Sequence, residues 1–528
     1  MTYSDGGTRD ERGDDRDHPG PGADTATAHA WAALGGRPDL VTKVSYARDA
    51  GDVLPARLPV RELARATVGA CSLAAAELAA ARGAAPDVPA VRVSEGAVAT
   101  AFHSERVLRI DGRAPTNFAP LSGFWRTADS WVRTHANYPH HRARLLAALG
   151  IPDDGTRDDH AQAEALATEL KSRTAHQVQE AVYAAGGLAV ALAPAPDRTG
   201  HTDRPDRTGR PAPAPDRTGS AAPAPEGPGG PSGPGGPVPA LPLVERHRPA
   251  SAARGPRLPD AALPAAGVRV LDLTRVLAGP VAARTLALLG ADVLRIDSPG
   301  LREDADTHTD TGMGKRSTLL DLGTPGDSAT FERLLASADV VLSGYRPGAL
   351  DRLGLAPEAL MERRPGLIVA QLCAWGWNGP WAGRRGFDSL VQVGTGIASI
   401  EGEGPEGRPG ALPAQALDHG TGYLVAGGVL RALTERQADG GGTHLKYSLA
   451  GTASWLMHGL RPDGDTTDPH PATADRPSGS DTPDRWLTTA ESPYGTLTHA
   501  LPPVSYSGSP GNWSRSVSSW GTDRPEWL

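Results

Sequence analysis

One stretch, Val268 to Pro299, limits what this chain can fold into more than any other. It opens with a short apolar run, Val268 to Leu273, the pattern of a strand buried on both faces of a parallel sheet. Ala278-Gly279-Pro280 then starts a helical pattern that stops at Gly290, with proline near the helix start and glycine just past its end. Asp292 to Asp297 reads as a second strand, cut off by Ser298-Pro299. Strand, helix and strand in so few residues make a βαβ unit. No G-x-G-x-x-G lies between the first strand and its helix, so the unit is Rossmann-like without the dinucleotide fingerprint.

The pattern continues downstream. Ser317 to Leu322 is strand-like, and Thr324-Pro325 reads as the cap and first residue of a helix running to about Ala338. Val340 to Tyr345 and Leu367 to Trp375 are the next strands, separated by a helix over Pro357 to Arg364. Strands alternating with helices predict an α/β fold built on a parallel sheet. A Gly-rich loop follows over Gly394 to Gly410, then a long helix from about Thr421 to Gln437.

The chain has 528 residues, more than one compact core usually takes, so two or more domains are expected. Residues 1–28 read as a disordered leader, and 29–193 as a smaller α+β region. Within it, Pro59 to Arg82 is an Ala-rich helical stretch, and Val91 to Ile110 suits strands. Leu121 to His135 reads as strand, turn and strand, with Asp129 in the turn, followed by a helix over His140 to Leu149. Residues 194–262 carry three copies of Pro-Asp-Arg-Thr-Gly, at 196–200, 205–209 and 215–219, and a Pro/Gly tract that reads as a linker. A large domain over 263–460, a second linker over 461–485 and a tail over 486–528 complete the division, with one strand expected within Tyr494 to Val504.

Net charge of −8 argues against nucleic acid or a membrane surface as the main partner. Cys71 and Cys373 lie far apart and imply neither a disulfide framework nor a zinc cluster. His135, His140 and His141 lack the spacing of a metal site and read as turn or surface histidines. With neither an apolar signal segment nor a run of 18 apolar residues, a cytoplasmic protein is expected.

Five motifs together resemble the family III CoA-transferases (CaiB/BaiF type), a group that also contains the α-methylacyl-CoA racemases. The first is the βαβ stretch itself. The others are Gly314-Lys315-Arg316-Ser317, then Ala338 through Tyr345-Arg346-Pro347-Gly348 to Gly354, then Gly386-Phe387-Asp388, and finally Ala416-Leu417-Asp418-His419-Gly420. The turn Trp125-Arg126-Thr127-Ala128-Asp129-Ser130-Trp131 is similar to one in the family's small domain, which here precedes the CoA-binding domain instead of following it. The resemblance implies a CoA-binding α/β domain and a smaller domain, joined here by the Pro/Gly linker.

It also implies that Asp418 is the catalytic nucleophile. From the residues alone, Asp418 reads as the cap of the following helix, whose N-terminus would hold its carboxylate ionised, while Gly420 and Gly422 would let a thioester approach. By resemblance Arg352 and Arg346 contact CoA, and Lys315 and Arg316 meet a phosphate. Three departures stand out. Phe387 occupies the place where racemases carry a histidine base, Ser298 replaces a frequent arginine, and Leu277 replaces a glutamine. The expected activity is transfer of CoA from an acyl-CoA to a carboxylic acid through aspartyl anhydride and aspartyl-CoA thioester intermediates, with acyl-CoA as substrate and no metal or nucleotide cofactor. A racemase, or a CoA-binding protein without turnover, are the alternatives. A homodimer follows from the resemblance.

Overall fold

The computed structural model describes residues 24–116, 118–153, 155, 157–196, 241–249, 255–404, 407–461 and 484–528. Most of the expected leader, the three repeats and the core of the second linker lie outside the described residues.

The βαβ unit forms as expected. Strand Arg269–Leu273 pairs in parallel with Asp292–Asp297, and helix Ala278–Leu288 crosses between them. Gly290, at φ +101°, ends the crossover in a conformation that suits glycine. The unit sits inside a seven-stranded mixed sheet. From one edge its strands are Arg316–Leu319, Asp292–Asp297, Arg269–Leu273, Val340–Ser343, Ile368–Cys373, Thr443–Ser448 and Glu245–His247. The first six run parallel, and Glu245–His247 adds an antiparallel edge from a stretch that reads as linker in the sequence. Chain order runs outward in one direction from Arg269–Leu273 and then in the other from Val340–Ser343. The two crossovers therefore part at the carboxyl ends of these neighbouring strands, where a doubly wound sheet leaves a crevice.

The N-terminal region divides between two bodies. Helix Val60–Ala81 is long and apolar enough to cross a membrane by composition, yet it is almost wholly buried. It packs along the long helix Ala416–Asp439 in the same core as the sheet's helices. The helices come very close, since a Cβ added at Gly427 would lie 3.3 Å from the Cys71 Cα. A separate cluster is built on the antiparallel strands Gly123–Arg126, Trp131–Thr134 and Ala189–Ala191 with helices Pro139–Leu149, Asp159–Leu170 and Ala175–Ala184.

Three local expectations change. Most of Val91 to Ile110 is helical: Ser94 accepts a hydrogen bond from the Ala97 N–H and starts helix Glu95–Ala101, leaving only Val91–Ser94 and Arg109–Ile110 as strands. The tail forms a hairpin, Leu487–Ser492 with Gly495–Ala500, which pairs with Arg109–Ile110. The long helix starts at Ala416, ahead of its expected start, so Asp418 lies inside its first turn and is not its cap.

Candidate active site

A cavity of about 670 Å³ opens at the carboxyl ends of the parallel strands. Leu273, Ser298, Tyr345 and Cys373 line one wall, and Tyr138, His140, His141 and Arg144 from the N-terminal region line the other. A second cavity of about 230 Å³ lies beside it, bounded by Glu105, Phe118, His135, Asp304 and Thr307 among others. Five residues belong to both linings: Tyr138, Val276, Leu277, Phe387 and Asp418. Asp418 is thus set in the partition between two chambers.

The partition is held from both halves of the chain. Val276 sits at φ +69°, an uncommon conformation for a β-branched residue. Its N–H donates to Glu303 Oε2 at 3.1 Å, and the Tyr138 hydroxyl donates to Glu303 Oε1 at 2.7 Å. Burial pushes the Glu303 carboxyl up, but Arg295 and Arg275 outweigh it and hold it below its ordinary range. A single ionised carboxylate therefore ties the strained loop to the N-terminal wall. Phe387 packs face to face on the His135 ring, with centroids 3.9 Å apart and planes 8° apart.

Asp418 is 8% exposed. Its backbone N–H donates to Asp388 Oδ2 at 2.9 Å, and Gln392 donates to the other Asp388 oxygen. Gln392 in turn accepts from the Leu412 N–H at 2.9 Å, which fixes the segment leading into the helix. Burial pushes the Asp418 carboxyl well above its ordinary range, and the neighbouring Asp388 and Glu105 push the same way. The Asp388 carboxyl is also raised, chiefly by burial. The expectation that the helix N-terminus holds Asp418 ionised is therefore corrected: desolvation and two nearby carboxylates favour its protonated form.

The adjacent His419 turns away from the partition. Its Nε2 meets Glu105 Oε2 at 3.2 Å and its ring stacks on Phe102 at 5.1 Å. Gly420 and Gly422 do not face a substrate either. A Cβ at Gly422 would come within 2.6 Å of the Ala278 carbonyl oxygen, and one at Gly420 within 3.0 Å of the Leu63 side chain. These glycines let helices meet behind the site.

Of the expected phosphate-binding cations, the structure brings two to the large cavity and leaves two out. Arg346 and Arg352 line it. Lys315, only 2% exposed, donates from Nζ to Asp272 Oδ2 at 3.1 Å beneath the sheet's end. Arg316 pairs with Asp292 at 2.8 Å and donates to the Glu526 carbonyl at 2.7 Å. Neither reaches the cavity, because each neutralises a carboxylate that the sheet has buried. In their stead come Arg144 and Arg385, which the sequence reading passed over. Among the described residues, Arg144 and Arg346 bond only backbone carbonyls, those of Gly186 and Gly383. Arg385 is held below its ordinary range by burial and then by the charges of Arg346 and Arg144. Among the described residues no carboxylate forms an ion pair with Arg144, Arg346 or Arg385, so positive charge gathers at this mouth of the cavity. Arg144 follows the histidine pair in Pro139–Leu149, and nothing in that helix's own pattern marks it as facing the sheet.

Cys373 lines the cavity, but burial pushes its thiol up to about 12, which removes it as a nucleophile near neutrality. No group of three or more potential metal ligands occurs among the described residues.

The crevice at the switch point of the sheet thus carries a buried carboxyl in its wall and a group of arginines at its mouth. Residues 265–490 match the family model described as CoA-transferase family III. It is 36% identical over 231 residues to the probable fatty acyl-CoA transferase Rv3272 of Mycobacterium tuberculosis, covering 40% of this chain and 58% of that one. With the succinate–glutarate CoA-transferase of Agrobacterium fabrum it shares 34% identity, over 38% of this chain and 54% of the relative. With human alpha-methylacyl-CoA racemase it shares 35%, over 36% of this chain and 49% of the relative. The chain thus spans about half the length of the curated relatives it matches. A crystal structure of Rv3272 aligns with a TM-score of 0.35 at 38% identity, covering 37% of this chain and 56% of that one.

Proposed function

We propose that the protein transfers CoA from an acyl-CoA to a carboxylic acid, with Asp418 as the covalent nucleophile. The observation that carries this reading is the place of Asp418 in the partition: a thioester carbonyl set against it would have the CoA arm in the large cavity and the acyl arm in the small one. The Rossmann-like sheet, with its crevice at the strand ends, suits a nucleotide-bearing ligand, and Arg144, Arg346, Arg352 and Arg385 suit its phosphates.

The Asp418 carboxylate attacks the thioester carbon and expels CoA thiolate, leaving a mixed anhydride. The thiolate attacks the Asp418 carbonyl, releases the donor acid and leaves an aspartyl-CoA thioester. The acceptor carboxylate attacks that thioester, expels thiolate again and forms a second anhydride. Thiolate attack on the acceptor carbonyl then yields the new acyl-CoA and returns Asp418. Only the ionised carboxyl can begin this sequence, so the rate climbs with pH through the raised range of the Asp418 pair.

Racemisation is the second reading, because a racemase stands among the relatives. Phe387 takes no proton, so α-proton exchange would need a base elsewhere, and solvent deuterium entering the α-carbon of a 2-methylacyl-CoA would reveal it. We also take a domain division at 194–262 and 461–485, a homodimer and a cytoplasmic location as parts of the reading. Incubation with acyl-CoA esters followed by hydroxylamine tests it. A hydroxamate at Asp418 that is absent from Asp418→Asn supports the transferase, and no adduct with any ester in protein that still binds CoA overturns it.

A further inference from the structure

The proposed transferase reading leaves the acyl group open, and the smaller cavity has a chemistry of its own. At about 230 Å³ it falls below the range of roughly 300–1,000 Å³ in which drug-sized ligands sit, so a long chain does not fit within it. Its charged lining is acidic. Glu105, Asp304, Asp310, Asp388 and Asp418 are set against Arg106 alone. Arg106 is bound at the rim to the Pro413 carbonyl and lies 3.8 Å from Glu105.

His135 stands apart in this lining. It is 5% exposed, its Nδ1 is buried without a hydrogen-bond partner, and no side chain among the described residues bonds its ring. Burial and then Arg133 push its imidazole down to about 3, so the ring is neutral and offers one donor and one acceptor. Leaving a buried polar ring nitrogen without a partner is unfavourable, and a ligand hydrogen bond to the ring would offset that cost.

Resting on that reading, we infer that the smaller cavity is an acyl chamber for short acyl groups carrying a neutral hydrogen-bonding substituent, such as a hydroxyl, which His135 recognises, and that it rejects acyl groups ending in a second carboxylate. A hydroxyl both donates and accepts, so it satisfies either tautomer of His135. A distal carboxylate would enter a lining of five acids, of which Asp310 is already paired with Arg284, and of one cation engaged at the rim, and it would be repelled.

The test uses the full chain carrying Asp418→Asn, which cannot react, and measures binding of 3-hydroxybutyryl-CoA, butyryl-CoA and succinyl-CoA by calorimetry. The expected order is hydroxybutyryl tightest, butyryl roughly fivefold to tenfold weaker, and succinyl weaker by at least a further tenfold. Adding His135→Phe, which keeps the stack on Phe387, brings the first two together. Equal binding of hydroxybutyryl and butyryl esters, or succinyl-CoA binding as well as butyryl-CoA, overturns the inference. So does a hydroxyl preference that survives His135→Phe. Should His135→Phe not fold, the three-ester order in the parent chain decides alone. The transferase reading fails separately: the expected binding order with no hydroxamate in wild-type protein removes the covalent mechanism and leaves the chamber in place, whereas a hydroxamate with a reversed order does the opposite.

Discussion

The two walls of the crevice were built by different kinds of sequence. The sheet wall, with Leu273, Ser298 and Tyr345, comes from short apolar strands punctuated by Gly and Pro, and its residues follow one another at strand ends. The N-terminal wall, with Tyr138, His140, His141 and Arg144, comes from a hairpin and helix with their own small core. The first wall is dictated by local pattern, the second by docking. Asp418 lies where they meet, and the difference teaches that a wall set by local pattern is legible in the sequence while a wall set by docking is not.

The largest effect expected is at the meeting point itself. Asp418→Asn should lower CoA transfer by about 10³-fold or more while CoA still binds, measured as turnover alongside calorimetry. Next comes a contrast between two cations. Lys315→Met removes the ammonium bonded to the buried Asp272 carboxylate and leaves it only the Thr274 hydrogen bonds, so it should cost about 3–5 kcal/mol of unfolding free energy in a denaturant titration. Arg144→Ala, on the N-terminal wall, should leave stability nearly unchanged and raise KM for acyl-CoA about tenfold with kcat little altered. If Arg144→Ala changes only stability, the docked wall is scaffolding and the comparison breaks.

Smaller effects depend on pH. The carboxyls of Asp418 and Asp388 are raised in the folded chain, so folding favours their protonated forms. That stabilisation is complete below about pH 4, the unfolded aspartate value, and is lost as pH rises through the folded values. Asp418→Asn should therefore melt several degrees higher than wild type at pH 7, with the gap closing toward pH 4 in thermal scans. Over the same range wild-type kcat/KM should rise with pH. A flat profile would mean that Asp418 is already ionised throughout.

The parallel sheet was legible because strands buried on both faces are rich in apolar residues, and four of the six residues in each of Val268 to Leu273 and Val340 to Tyr345 are apolar. Thr324 was legible as a cap for an equally local reason, its hydroxyl meeting the Asp327 N–H. The start of the long helix was not. Glycines at 420 and 422 argue against a helix in isolation, but here they allow contact with Leu63 and Val281, a gain that only the tertiary structure reveals. Lys315 and Arg316 misled for a similar reason. Asp272 and Asp292 lie 43 and 24 residues away in sequence, and pairing in the sheet brings each to its cation. Arg144 and His135 gain meaning only when the small cluster docks on the sheet.

The contact between helices Val60–Ala81 and Ala416–Asp439 has a consequence for the chain as it is made. Glu77 and Arg431, which pair across that interface, are 354 residues apart. At about 5–20 residues per second of synthesis, a helix that is almost wholly buried in the finished protein emerges roughly 20–70 s before the surface that covers it exists. For that interval the helix has no covering surface, so its burial is completed only after the long helix has been made.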